Sequence, residues 1–212
     1  MMQVVEIKNL NKEIKGTSVL RDVNLTLRSG RVYGLIGDNG SGKTMLMRAI
    51  CGLIRPTSGE ILFDGKRREE ANPAIGAMIE NTSLYPDMTG FDNLRLLAKI
   101  RRQAGADDIR QAISRVGLDP DDKRIYRKYS LGMKQRLLLA QAIMEKPEVL
   151  LLDEPTNAID QAGVKLVHGI MQEEAARGAV VLLASHINVD IRNLCSALYL
   201  MEQGALCQEV QK

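Results

Sequence analysis

A chain of 212 residues with 45% hydrophobic and 26% charged residues is long enough for one buried core with a small insertion, and too evenly composed for a fibrous or disordered protein. Its net charge of +3, the acids beside Lys66-Arg67-Arg68 and Lys123-Arg124, and the lack of Trp argue against a nucleic-acid partner. Cys51, Cys195 and Cys207 form no C-x-x-C pair, Met1-Met2-Gln3 begins no signal peptide, and no apolar run approaches the roughly 18 residues of a membrane helix, which predicts reduced thiols in a cytosolic compartment and no membrane span.

Residues 3–8 alternate weakly and predict an edge strand. Val23, Leu25 and Leu27 alternate with Asn24, Thr26 and Arg28, the pattern of a half-buried strand. Ser29-Gly30 turns the chain into a short buried strand, Arg31-Val32-Tyr33-Gly34-Leu35-Ile36. Gly37-Asp38-Asn39-Gly40-Ser41-Gly42-Lys43-Thr44 then fits G-x-x-x-x-G-K-[ST] at every fixed position. Met45, Leu46, Ala49, Ile50 and Leu53 follow at helical spacing, so strand, glycine loop and helix stand in the order the motif requires. Ile61-Leu62-Phe63 before Asp64-Gly65 predicts a strand and turn, residues 66–73 are polar, and Ile75-Gly76-Ala77-Met78-Ile79-Glu80 predicts a strand ending on a carboxylate.

Residues 85–128 carry no strand signal. Leu94, Leu97, Ala98 and Arg101, then Ile109, Ala112, Ile113 and Val116, sit at helical spacing, so a small helical insertion is expected there. Ser130 is placed to cap a helix bearing Leu137, Leu138 and Met144. Glu148-Val149-Leu150-Leu151-Leu152 reads as a strand buried on both faces and ends in Asp153-Glu154-Pro155. A helix from about residue 160 to 176 leads to a second buried strand, Ala179-Val180-Val181-Leu182-Leu183-Ala184, which ends in Ser185-His186. A hairpin around Gln203-Gly204 closes the chain. Strands alternating with helices predict an α/β fold with a mostly parallel sheet, helices on both of its faces and an antiparallel β portion at the N-terminus.

The chemistry of these residues points to a phosphorylated ligand. Glycines let the backbone N–H groups of residues 37–44 turn inward toward phosphate oxygens, and the following helix adds its positive end. Lys43 is placed to reach the outer phosphates and the Thr44 hydroxyl to hold Mg²⁺. Asp153 can face the same cation, and Glu154 can polarise an attacking water. His186 should emerge on the same sheet edge, to hydrogen-bond a phosphate or Glu154. Glu80 ends a strand on that edge; it either approaches the cation or water, or is a solvated strand end. His168 reads as an ordinary helix residue.

Taken together, these segments resemble the ATP-binding subunit of an ABC transporter over nearly the whole chain. The resemblance rests on the phosphate loop at 37–44, Tyr129-Ser130-Leu131-Gly132-Met133-Lys134-Gln135-Arg136, Leu151-Leu152-Asp153-Glu154-Pro155-Thr156, Asn157-Ala158-Ile159-Asp160 and Ser185-His186. It implies a P-loop NTPase core from 1–84 and 129–212, a helical subdomain at 85–128 that docks on membrane-spanning permease subunits, ATP and Mg²⁺ as ligands, and a place on the inner face of the cell membrane. It also implies a second ATP-binding subunit, the same or different, facing the first head to tail. Ser130 and Gly132 of one subunit would close over the γ-phosphate held by the other. Three departures stand out. The usual L-S-G-G-Q reads Tyr129-Ser130-Leu131-Gly132-Met133, Glu80 replaces a usual Gln, and Ile14 takes the place of an aromatic that usually stacks on adenine. The stretch from Ile79 to Gly90 looks like the branch that exports bacitracin-type and lantibiotic peptides. The rival readings are an ATP-dependent switch with little turnover and a DNA- or ribosome-acting ATPase, whose usual long coiled-coil insert or second ATPase unit this sequence lacks.

Overall fold

The computed structural model describes residues 2–79, 83–185 and 189–210. Strand β1 (Val4–Ile14) and strand β2 (Thr17–Arg28) form a long antiparallel hairpin. Its turn, Lys15-Gly16, holds both residues at positive φ (50° and 79°), the geometry that matches strand twist. The hairpin is longer than the sequence pattern predicts. The register slips between Ile7 and Leu10 and again between Leu10 and Lys12, so a period of two breaks where the strand does not.

Strand β3 (Arg31–Ile36) leads through the glycine loop to helix α1 (Lys43–Ile50). Strand β4 (Ser58–Phe63) joins β1, and the short strand β5 (Lys66–Arg67) joins β4; helix α2 (Arg68–Ala71) follows. Strand β6 (Ile75–Met78) stops two residues before the predicted end at Glu80, which lies outside the described residues. Helices α3 (Gly90–Arg101) and α4 (Ala106–Arg115) fill the strandless stretch, and helix α5 (Leu131–Ile143) begins at the predicted Ser130 cap. Strand β7 (Val149–Asp153), helix α6 (Gln161–Ala176), strand β8 (Val180–Ser185), helix α7 (Val189–Leu194), and strands β9 (Ala197–Glu202) and β10 (Ala205–Val210) complete the chain. Helix α7 gives no periodic signal because it is short: Ile191 and Cys195 just beyond it are buried, and Leu194 packs partly buried beside them.

Two sheets result. The larger runs β10-β9-β3-β8-β7-β6, parallel except for β10, and the smaller runs β2-β1-β4-β5. Alternation along the central strands divides the core. Val32, Ile36, Leu150, Leu152, Val181 and Leu183 face the layer of α4, α5 and α6. Tyr33, Leu35, Val149, Leu151, Val180 and Leu182 face α1 and the N-terminal hairpin. Each fully buried Leu here contributes about 2 kcal/mol relative to exposure.

An ion-pair cluster ties the helical insertion to α6. Arg115 meets Glu173 at 2.9 Å and Glu174 at 2.8 Å, and Arg177 meets Glu174 at 2.7 Å. Glu174 is 2% exposed. Removing its carboxylate takes one partner from each of two guanidinium groups; Arg115 keeps Glu173 and Arg177 keeps Pro147 O, and their residual exposure of 28% and 33% softens the penalty further. Glu174→Ala should therefore lower unfolding free energy by about 2–4 kcal/mol with an unchanged denaturant slope; a loss below about 0.5 kcal/mol would make the cluster ornamental.

Candidate functional site

The carboxyl ends of β3, β7 and β8 lie side by side, because Ile36 pairs with Ser185 and Asp153 with Ala184. That is the edge at which open parallel sheets bind ligands. Above it lies a cleft of about 1010 Å³, walled by Asn39 to Met45 of the loop, by Asp153 and Glu154, and by segments of β2 and α5.

The loop is shaped for anions. Gly42 adopts φ 111°, a backbone region that favours glycine, and a Cβ there would lie 3.0 Å from the backbone oxygen of Val19. Lys43 is 6% exposed, and its ammonium donates to Gly37 O at 2.6 Å and Asp38 O at 3.0 Å. Those bonds use two of its three donors and leave one for a ligand. Ser41 is buried, and its Oγ has no hydrogen-bond partner among the described residues. A buried hydroxyl without a partner costs about 1–3 kcal/mol, and a phosphate oxygen in the cleft would satisfy it. At the end of α1 the Cys51 thiol is pushed up to about 11 by burial, against the pull of Arg68, so it stays protonated and inert.

Thr44 Oγ1 donates to Asp153 Oδ2 at 2.6 Å, although the two residues are far apart in sequence. A hydroxyl and a carboxylate in contact are hard oxygen donors of the kind Mg²⁺ takes. No group of three or more His, Cys, Asp or Glu that could hold a metal exists among the described residues. The pair thus fits a cation that draws most of its ligands from water and phosphate. Glu154 follows at φ 49°, a left-handed conformation costing about 1 kcal/mol or more for such a residue. Its N–H donates to Ala184 O at 2.9 Å, its carbonyl lies 3.5 Å from Gln135 Nε2, and Ser185 Oγ approaches Oε2 at 3.5 Å.

The structure brings Asn39, Gly40, Ser41, Gly42, Lys43, Thr44, Asp153 and Glu154 to one cleft, with Gly37 and Asp38 held against it by the lysine. His186 and Glu80 lie outside the described residues. Ile14 ends β1, exposed, and does not line the cleft; Thr17, Ser18, Val19 and Arg21 of β2 take that wall. Ser130 and Gly132 do not line the cleft of their own chain either. Ser130 Oγ caps α5 by accepting from Met133 N at 3.2 Å, and Leu131 beside it is 65% exposed. The ring of Tyr129 is buried against Tyr126, which explains how an aromatic is accommodated at the first position of that segment. Sequence reasoning missed Arg21, Gln135, Asn157, Gln203 and Gly204 as cleft residues. Gln135 and Asn157 lay inside recognised segments and Gln203-Gly204 in a predicted turn, but nothing local marks any of them, or Arg21, as facing the cleft.

Comparison with known proteins agrees with this geometry. Residues 20–157 match the ABC transporter family. The chain is 48% identical over 206 residues to an uncharacterized ABC transporter ATP-binding protein, YybJ, of Bacillus subtilis, covering 96% of this chain and 94% of that one. It is 35% identical over 215 residues to the bacitracin transport ATP-binding protein BcrA of Enterococcus faecalis, covering 99% and 70%. The dimeric structure of MJ0796, a bacterial ABC transporter cassette, superposes with a TM-score of 0.86 at 21% identity, covering 98% of both chains.

Proposed function

The chain belongs to the ABC transporter family as an ATP-binding subunit, and from that premise we propose that its ATP hydrolysis drives a separate membrane-spanning permease that exports peptide antibiotics or related hydrophobic compounds. The substrate class follows its similarity to the bacitracin transport protein BcrA. The observation that carries the ATPase reading is the 2.6 Å contact between Thr44, next to Lys43 in the loop, and Asp153 at the end of β7, with Glu154 next in the chain.

The residues divide the work by position. Loop N–H groups from Gly37 to Thr44, the Lys43 ammonium and Ser41 Oγ hold the phosphates of ATP in line. Thr44 and Asp153 would hold Mg²⁺, which supplies charge neutralisation across the outer phosphates. Glu154 accepts a hydrogen bond from the attacking water and draws its proton away as the bond to the γ-phosphorus forms and the bond to the β–γ bridging oxygen breaks, releasing ADP and phosphate. Its strained backbone, anchored to Ala184 O, fixes the direction in which its carboxylate points. His186 is the further candidate for a phosphate or Glu154 contact, and Glu80 for the cation. Ser130 and Gly132, away from their own cleft, would complete the site of a second subunit set head to tail. The segment 85–128 would dock on the permease at the inner face of the membrane; no helix among the described residues is long and apolar enough to cross it.

A switch with little turnover is the second reading, favoured by the exposed Leu131 in place of the usual glycine and by a cleft wall without an aromatic side chain. Steady-state phosphate release separates the two. The transporter reading expects Mg-dependent release that rises several-fold when the permease is co-reconstituted in liposomes. ATP binding with no release in either preparation would leave the switch.

A further inference from the structure

We infer that the β9–β10 turn, Gln203-Gly204, is a positioning element for the phosphate loop, so that nucleotide affinity is set in part from the C-terminal hairpin; this rests on the nucleotide reading of the cleft. Three segments distant in sequence meet at Gly204. Its N–H donates to Ser41 O at 2.8 Å, and its carbonyl accepts from Arg21 N at 2.7 Å. The glycine thus links the loop on one side to β2 on the other, through backbone groups alone.

The contacts leave no slack. Gly204 adopts φ 87°, and a Cβ there would lie 2.8 Å from Val19 O. Carbonyl oxygens of a hairpin cannot retreat as a flexible side chain can. The strand leading into the turn supports the same loop from behind. A Cβ on Gly37 would lie 2.2 Å from Met201 O, and one on Gly42 would lie 2.8 Å from Met201 Cε. Met201 itself is 0% exposed. Lys43 grips the loop from within through Gly37 and Asp38, and the β9–β10 turn grips it from without. The inner grip must share its ammonium with a phosphate when ligand arrives. The outer grip involves no ligand-binding group, so it can keep the loop amides aimed while the lysine redistributes its bonds. Gln203, held at φ 46°, lines the same cleft as Arg21, so displacement of this turn moves part of the cleft wall as well as the loop.

The alternative is a turn that merely ends a sheet. Gly65 supplies the control: it has φ 76° in a turn, and a Cβ there would meet nothing within 4 Å, so alanine adds backbone strain without touching the loop. Equilibrium titration of the purified chain with a fluorescent ATP analogue distinguishes the cases. Gly204→Ala should raise the dissociation constant about tenfold at unchanged site stoichiometry, with Gly65→Ala within about twofold of wild type. A purely structural role would lower the fraction of competent sites and leave the dissociation constant alone. Wild-type affinity in Gly204→Ala, at full or reduced stoichiometry, overturns the inference and leaves the nucleotide reading standing. A wild-type chain that binds no analogue overturns both. Should Gly204→Ala fail to fold, hydrogen exchange on the wild type decides. Saturating ATP analogue should slow exchange across residues 201–206 together with the phosphate loop, and not around Gly65; unchanged exchange at 201–206 refutes the linkage.

Discussion

Replacing Glu154 by glutamine lowers steady-state phosphate release by about 10²–10⁴-fold while leaving ATP affinity within about threefold of wild type. The substitution keeps the size of the side chain and its capacity to sit 3.5 Å from Ser185 Oγ. It removes the negative charge that draws a proton from water. The phosphate contacts come from the loop and Lys43, which glutamine does not touch, so binding should persist. The backbone at φ 49° is held by Ala184 O and accepts an amide side chain as readily as a carboxylate. Because bound ATP is then not consumed, paired subunits should accumulate, and size exclusion with ATP should show a dimer that Ser130→Arg abolishes. Full phosphate release by Glu154→Gln would remove the residue from the proposed role and shift the search to His186.

The parts of this site that could be read in the sequence are those whose chemistry is local. The glycines, lysine and threonine of residues 37–44 specify a loop conformation, a charge and a hydroxyl within eight consecutive positions, and β7 announces Asp153 and Glu154 through an unbroken apolar run. The parts that could not be read depend on tertiary contact. β1 slips register at Ile7 and at Leu10, which hides the continuation of the hairpin that brings Val19 and Arg21 to the cleft. Gln203-Gly204 reads as an ordinary turn, because its contacts to Ser41 and Arg21 are made by backbone groups with no signature of their own. Ile14, expected by resemblance beside the ligand, ends β1 exposed and pairs with Thr17 of β2, which lines the cleft. Helix α7 escaped because six residues are too few to establish a period.

Lys43→Ala should weaken ATP binding by about 30- to 200-fold, the loss of one charge-assisted hydrogen bond of about 2–3 kcal/mol. The ammonium has two roles, and the variant exposes both. Without ligand it donates to Gly37 O and Asp38 O, satisfying two carbonyls of the loop. Alanine leaves those oxygens facing the cleft, where they repel phosphate, so the penalty exceeds that of deleting a solvent-exposed lysine. Lys43→Arg tests whether charge alone suffices. A planar guanidinium cannot occupy the 6% exposed pocket of a compact ammonium without displacing the loop, so arginine should recover less than a tenth of the lost affinity. Calorimetric titration of both variants with ATP measures this directly. Unchanged affinity in Lys43→Ala would mean that the cleft does not take phosphate through this loop, and the assignments of Thr44, Asp153 and Glu154, which share its geometry, would fall with it.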